Sequence, residues 1–357
     1  MAVLTLDRKK LQSNYKFIDK RLKKHGIEWG VVTKLLCGYK PFLQEIVHLG
    51  VKELHDSRIS NLKAIKELNP GIQTVYIKPP AKRSIPNVVR YADVSLNTEL
   101  KTIEMLSQEA QKQNKVHKIL IMIELGDLRE GVLGENLLHF YEQVFHLPNI
   151  QVVGIGANLN CLYGVMPSHD KLIQLSLYKQ LIEAKFNRQI PWVSGGTSVV
   201  FPLLQRKLLP KGVNHFRIGE LLYFGLDLFK EETIPGMHDD VFQLHAEIIE
   251  IQEKPVVPIG ELAANPSGEV FEVKEEDYGK KSVRAIIDVG LLETSPDYLI
   301  PYDEHIQFAG ASSDMIVLDL GNNPENLKVG DVVSFKLKYM GALGLLNSRY
   351  IEKKVVE

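Results

Sequence analysis

The chain has 357 residues, of which 45% are hydrophobic and 24% charged, and its formal net charge is −1. That length accommodates one large domain and a smaller one, each with its own core. The balanced charge excludes the basic excess that a nucleic-acid or membrane-surface binder needs. Two cysteines, Cys37 and Cys161, form neither a disulfide framework nor a paired metal motif, which points to a reducing cytoplasm. The opening MAVLTLDRKK has no apolar run of signal-peptide length, and no stretch approaches a membrane span.

The first element with helical spacing is RKKLQSNYKFIDKRLKK. Eight short apolar runs follow, at residues 30–34, 52–56, 74–78, 92–96, 118–125, 152–158, 191–195 and 215–219. Most are separated by segments of helical period, such as TELKTIEMLSQEAQKQ and HDKLIQLSLYKQLIEAKF. The runs at 52–56 and 92–96 are the weakest, being short and partly polar. Alternation of strand and helix predicts a parallel sheet, and eight such units fit a closed (β/α)₈ barrel of the TIM type over residues 1–230. KEETIPGMHDD then reads as a linker. LHAEIIEIQ, SVRAIIDVG, HIQFAGASSDMIVLDLG and VGDVVSFKLKY alternate or are β-branched, with glycine, proline and asparagine turns between them. They predict an all-β domain over residues 231–357, to which residues 2–7 could add a strand.

Functional side chains of such barrels cluster where the strands end. The first strand ends at Lys34. The fifth leads to ELGDLREG, with Arg129. The sixth ends in GIGANLNC, with Asn158, Asn160 and Cys161. The seventh ends in VSGGTS, with Ser194, Gly196, Thr197 and Ser198, and the eighth in FRIGE, with Arg217, Gly219 and Glu220. SGGTS joins glycines, which let a backbone approach a ligand, to hydroxyls that can donate. It stands before the helix-like SVVFPLLQRKLL, whose free N–H groups would favour a phosphate. RIGE repeats the arrangement one strand later. A glycine-serine loop is usually an ordinary turn, and a lone strand-end lysine usually a rim residue. Facing a phosphate cradle, however, a lysine suits a Schiff base with pyridoxal 5′-phosphate, with Arg217 and Arg129 supplying nearby positive charge.

Together, VVTKLLCG, ELGDLREG, GANLNC, VSGGTS and FRIGELLYFG resemble the alanine-racemase-type (fold type III) pyridoxal phosphate enzymes, and within them the ornithine racemase branch. The likeness runs from about residue 3 to the C-terminus. It implies an amino acid racemase, and a homodimer whose sites are completed by the partner's β-domain. By this likeness Lys34 is the Schiff-base lysine and one of two catalytic bases. Arg217 hydrogen-bonds the pyridine nitrogen. Arg129 lies near the phenolic oxygen and the substrate, and Asn158 lies against the ring. Ser194, Gly196, Thr197, Ser198, Gly219 and Glu220 hold the phosphate.

The sequence also departs from the family. AIIDVGLLETSPDY has no tyrosine where alanine racemases carry their second base; Asp288, Ser313, Asp314 and Tyr339 are candidates for that role. Tyr39 lies one position later than the family's phosphate-contacting tyrosine. Met122 stands where some alanine racemases have a modified lysine. These departures and the ornithine-branch likeness imply a larger or basic amino acid as substrate. The alternatives are a type III lyase or aldolase acting on D-amino acids, and a non-catalytic pyridoxal phosphate homeostasis protein. A cofactor-free racemase using Cys37 and Cys161 as bases is a further rival. No metal motif is present, and His55, His139, His146 and His215 read as ordinary core or surface residues.

Overall fold

The computed structural model of the protein describes residues 2–265, 268 and 270–357. The chain divides into two compact units. Asp7–Val241 with Glu357 form one; the residues up to Leu6 and Phe242–Val356 form the other.

The larger unit is the parallel barrel. Its strands are Glu28–Val32, Glu53–Asp56, Gln73–Tyr76, Val94–Asn97, His117–Met122, Ile150–Gly156, a split seventh strand and His215–Ile218. The seventh consists of Trp192–Ser194, which pairs with the sixth, and Gly196–Thr197, which pairs with the eighth. The eighth returns to the first in register His215↔Glu28 through Ile218↔Val31. The ring therefore closes, with the seventh strand changing neighbours at Gly195. The second and fourth strands are fully buried despite their polar residues. Val75, Val94, Leu96, Leu120, Met122 and Val153 form one buried apolar cluster, against which Trp192 packs. Each such side chain contributes roughly 1.5–3 kcal/mol on leaving water.

The helix Arg8–Lys24 precedes the first strand. The Asp7 carboxylate accepts from the Lys10 amide (2.9 Å) at its start, and Arg21, Lys23 and Lys24 complement its C-terminal dipole. Leu11, Asn14, Ile18 and Leu22 recur at helical spacing and form its buried face.

Two sequence expectations are corrected in this unit. The first strand ends at Val32, so Lys34 opens a 3₁₀ turn, Lys34–Leu36, closed by Cys37 in the left-handed region (φ 50°). The stretch after residue 230 is no open linker. Glu232–Thr233 pairs antiparallel with Leu226–Asp227, and the Asp227 carboxylate accepts from the Phe229 amide (2.9 Å) to tighten the turn.

The smaller unit is an antiparallel sheet in the order Leu299–Pro301, Val332–Leu337, Phe242–Pro255, Lys281–Ile287, Ile316–Asp319, Gln307–Ala311. Val3–Asp7 pairs antiparallel with Phe242–Pro255. One helix, Tyr339–Asn347, interrupts a segment that reads as purely β. Gly341 and Gly344 lower its intrinsic propensity and hide it from the sequence pattern; packing against the residues around Glu293 and Tyr298 holds it. Among the described residues, no helix is long and apolar enough to cross a membrane.

Candidate active site at the strand ends

Lys34 is positioned by the residue before it. Thr33 is buried, and its hydroxyl donates to the Asp56 carboxylate (2.8 Å) while its amide donates to the His55 carbonyl (2.8 Å). Asp56 also accepts from the Arg58 amide (2.9 Å) and Asn61 Nδ2 (3.1 Å). Burial pushes the Asp56 carboxyl up, and these donors work against that shift. Beyond this anchor the Lys34 side chain is exposed, and among the described residues no hydrogen bond or ion pair engages its ammonium. Lys34, Cys161 and Glu220 follow the ends of the first, sixth and eighth strands, and the Lys34 charge favours the ionised forms of the other two.

Arg217 is only 4% exposed, on the eighth strand. Its Nη1 donates to the Ser194 carbonyl (2.7 Å) and to the Ser194 hydroxyl; its Nη2 donates to the Ala157 carbonyl (2.7 Å) and Asn158 Oδ1 (2.8 Å). Those four bonds use all the terminal hydrogens and leave Nε–H without a partner among the described residues. Burial pushes the guanidinium down to about 10, so it remains a cation at neutral pH.

The network continues outward. Asn158 Nδ2 donates to Glu130, and Glu130 accepts from Arg129 Nε and Nη2 (2.7 Å for the latter). The hydrogen bond to Glu130 pushes the Arg129 guanidinium further up. Arg129, Asn158 and Arg217 are thus brought together, with Glu130 between the first two.

The residues of the expected phosphate cradle separate into two groups. The Ser198 hydroxyl accepts from the Gly219 (3.3 Å) and Leu221 (3.1 Å) amides, and Arg217 is paired with Thr197 across the strands. Thr197, Ser198, Gly219 and Glu220 therefore share one corner. Burial pushes the Glu220 carboxyl up, against the pull of Lys34. Ser194 faces elsewhere: it is wholly buried, and its hydroxyl meets Arg217 and His215. Gly196 has a packing reason for its identity, since a Cβ there would lie 2.0 Å from Phe216 Cδ1.

In the β unit, the carbonyls of Ser312 and Ser313 accept from the Leu291 and Leu292 amides (both 2.9 Å). The exposed Ser313 hydroxyl donates to Asp314 (2.7 Å). Asp288 is exposed just past the strand Lys281–Ile287, and Tyr339 opens the helix Tyr339–Asn347. The four candidates for the second base belong to neighbouring segments of this unit.

Sequence reading missed Glu130, Asp127 and a buried trio of Glu53, His55 and His215. His55 and His215 are core residues, as expected, but they share the Glu53 carboxylate. The signal was available: Glu53 and His55, like His215 and Arg217, stand two apart on one strand and so face the same way.

The family described as alanine racemase, N-terminal domain, matches residues 6–227. An ornithine racemase from Acetoanaerobium sticklandii is 36% identical over 354 residues, 99% of either chain. A lysine racemase from Thermotoga maritima is 29% identical over 98% of this chain and 97% of its own. In fold, the chain is similar to an alanine racemase from Bartonella henselae, whose structure carries covalently bound pyridoxal phosphate. That likeness has a TM-score of 0.74 at 16% identity over 99% of both chains. A strand-closed barrel with a free lysine at its mouth, matched along its whole length by racemases, belongs to the alanine racemase family and is one of its amino acid racemases.

Proposed function

We propose that the chain racemises a basic amino acid of the ornithine or lysine class with pyridoxal 5′-phosphate, in the cytoplasm and as a homodimer. The observation that carries this reading is the 36% identity to an ornithine racemase over 99% of both chains. The residues present fit the cofactor: Lys34 has an unengaged amine, Arg217 an unengaged Nε–H, and Thr197, Ser198, Gly219 and Glu220 a shared corner of hydroxyls and amides. Cys161 is a free thiol, in keeping with a reducing compartment.

When bound, pyridoxal phosphate supplies an aldehyde that condenses with an amine and a ring that withdraws electrons from Cα. The protein does the rest. The Lys34 amine removes or returns the Cα proton on one face. Arg217 donates a hydrogen bond through Nε–H but keeps its proton, because a guanidinium remains charged at neutral pH. A ring nitrogen held by that Nε–H would stay unprotonated, which would favour return of a proton to Cα over diversion of charge into the ring. Arg129, steadied by Glu130, orients the substrate carboxylate. Asn158 ties that pair to Arg217. The opposite-face proton comes from the β unit of the partner, with Asp288, Ser313, Asp314 and Tyr339 as candidates.

A substrate screen tests the assignment. Ornithine and lysine are expected to racemise with kcat/KM at least about tenfold above alanine, a difference of roughly 1.4 kcal/mol in transition-state binding. Equal or better turnover of alanine would remove the basic substrate.

A further inference from the structure

Behind Arg217, a second polar cluster occupies the barrel and takes no part in the chemistry above. Glu53 Oε1 lies 2.5 Å from His55 Nε2 and 2.8 Å from His215 Nε2, and its Oε2 accepts from Gln73 Nε2 (2.5 Å). Glu53, His55 and His215 are all buried. The cluster meets over Gly30, where a Cβ would stand 2.3 Å from His55 Nε2 and 2.7 Å from Glu53 Oε1. The Trp192 ring stacks on His215, centroids 4.3 Å apart and planes at 14°. On its other side, His215 Nδ1 lies 2.6 Å from the Ser194 hydroxyl.

Counting protons fixes the directions. The Ser194 oxygen accepts from Arg217 Nη1, so its own hydrogen goes to His215 Nδ1. His215 is then neutral and carries its proton on Nε2, which donates to Glu53. A guanidinium, a hydroxyl, an imidazole and a carboxylate stand in series. Glu53 accepts at both of its oxygens, from the two imidazoles and from Gln73, an arrangement that suits a carboxylate.

We propose that Glu53 and His215 are positioning residues for Arg217. The Glu53 carboxylate is the guanidinium's buried counter-charge, and His215 and Ser194 relay it, locking the arginine so that Nε–H faces the mouth. This inference rests on the role given to Arg217 above. Two imidazoles and a carboxylate are also a zinc-type donor set. Here, however, both ring nitrogens approach one oxygen at hydrogen-bond lengths, and protons account for every contact.

The test begins with the cofactor-free protein, labelled with ¹⁵N at histidine and arginine. Long-range ¹H–¹⁵N spectra are expected to show His215 neutral, with its proton on Nε2, and a resolved Arg217 Nε–H line. An Nδ1–H tautomer, an imidazolium at neutral pH, or one equivalent of zinc in the purified protein would overturn the relay. The second arm is Glu53→Gln, which keeps shape and removes charge. It is expected to move or broaden the Arg217 Nε–H line. The dissociation constant of pyridoxal phosphate should rise and kcat should fall, each about tenfold, with the amino acid KM within about twofold of wild type. Unchanged cofactor affinity and kcat would overturn the proposal. If the variant does not fold, the His215 tautomer in the wild-type chain decides. A wild-type chain that binds no pyridoxal phosphate would sink the proposed function, whereas the apo spectra would still read the relay.

Discussion

The Ser198 hydroxyl oxygen accepts from two backbone amides, those of Gly219 and Leu221. Removing it strips both donors of their acceptor in a buried corner. Ser198→Ala is expected to cost about 1–3 kcal/mol in urea unfolding and to weaken pyridoxal phosphate binding severalfold in a fluorescence titration. Full cofactor affinity in that variant would take Ser198 out of the cradle. Gly196 makes a different prediction. An alanine there would drive its methyl into the Phe216 ring, so thermal unfolding of Gly196→Ala should show a loss of about 1–3 kcal/mol. Lys34 and Arg217 drew notice in the sequence because each is a charge in or just after a short apolar run, though the run before Lys34 ends as a strand two residues earlier, at Val32. The direction of the Ser194 hydroxyl was not, since spacing places a side chain on a face without naming its partner. Glu130 was passed over because its importance lies in two neighbours, Arg129 and Asn158, one of them 28 residues away.

Among the elements, the loop after the sixth strand is organised by a single carboxylate from another loop. Asp127 is almost wholly buried and accepts from the amides of Cys161 (2.9 Å), Leu162 (3.0 Å), Tyr163 (3.2 Å) and Val165 (3.3 Å). Burial would push its carboxyl up, and these four donors more than offset that, leaving it below its ordinary value. Asp127→Ala should release the segment. Hydrogen exchange at those four amides is expected to accelerate at least about tenfold while the barrel strands keep their protection. Unchanged exchange would show that the loop holds itself. Long helices such as Arg8–Lys24 and Leu100–Lys112 were readable from their apolar period. The helix Tyr339–Asn347 was not, because its glycines weaken the local signal and tertiary packing decides the outcome. The closing of the seventh strand at Gly195 was equally hidden, since a one-residue change of neighbour leaves no periodic trace.

For the molecule as a whole, the barrel alternation and the β texture after it were legible because eight strand–helix units repeat one pattern. The buried polar side chains inside the barrel were not, and they govern its response to pH. His117 is buried against the Ser95 hydroxyl (2.8 Å), and burial, aided by Lys115, pushes its imidazole down to about 4. Between about pH 6.5 and pH 4 the unfolded chain therefore binds a proton that the folded chain refuses, and stability falls as pH is lowered through that window. The drop corresponds to roughly 3 kcal/mol, and urea titrations of wild type against His117→Gln should show it only in the wild type. Equal pH slopes in the two proteins would mean that His117 charges freely in the folded state. The central claim is that the Lys34 amine carries pyridoxal phosphate, and borohydride reduction of the purified holoenzyme followed by peptide mass spectrometry reads it directly. The phosphopyridoxyl group is predicted on the peptide containing Lys34 and absent from Lys34→Ala. The label on a different lysine, or on none, would contradict the account.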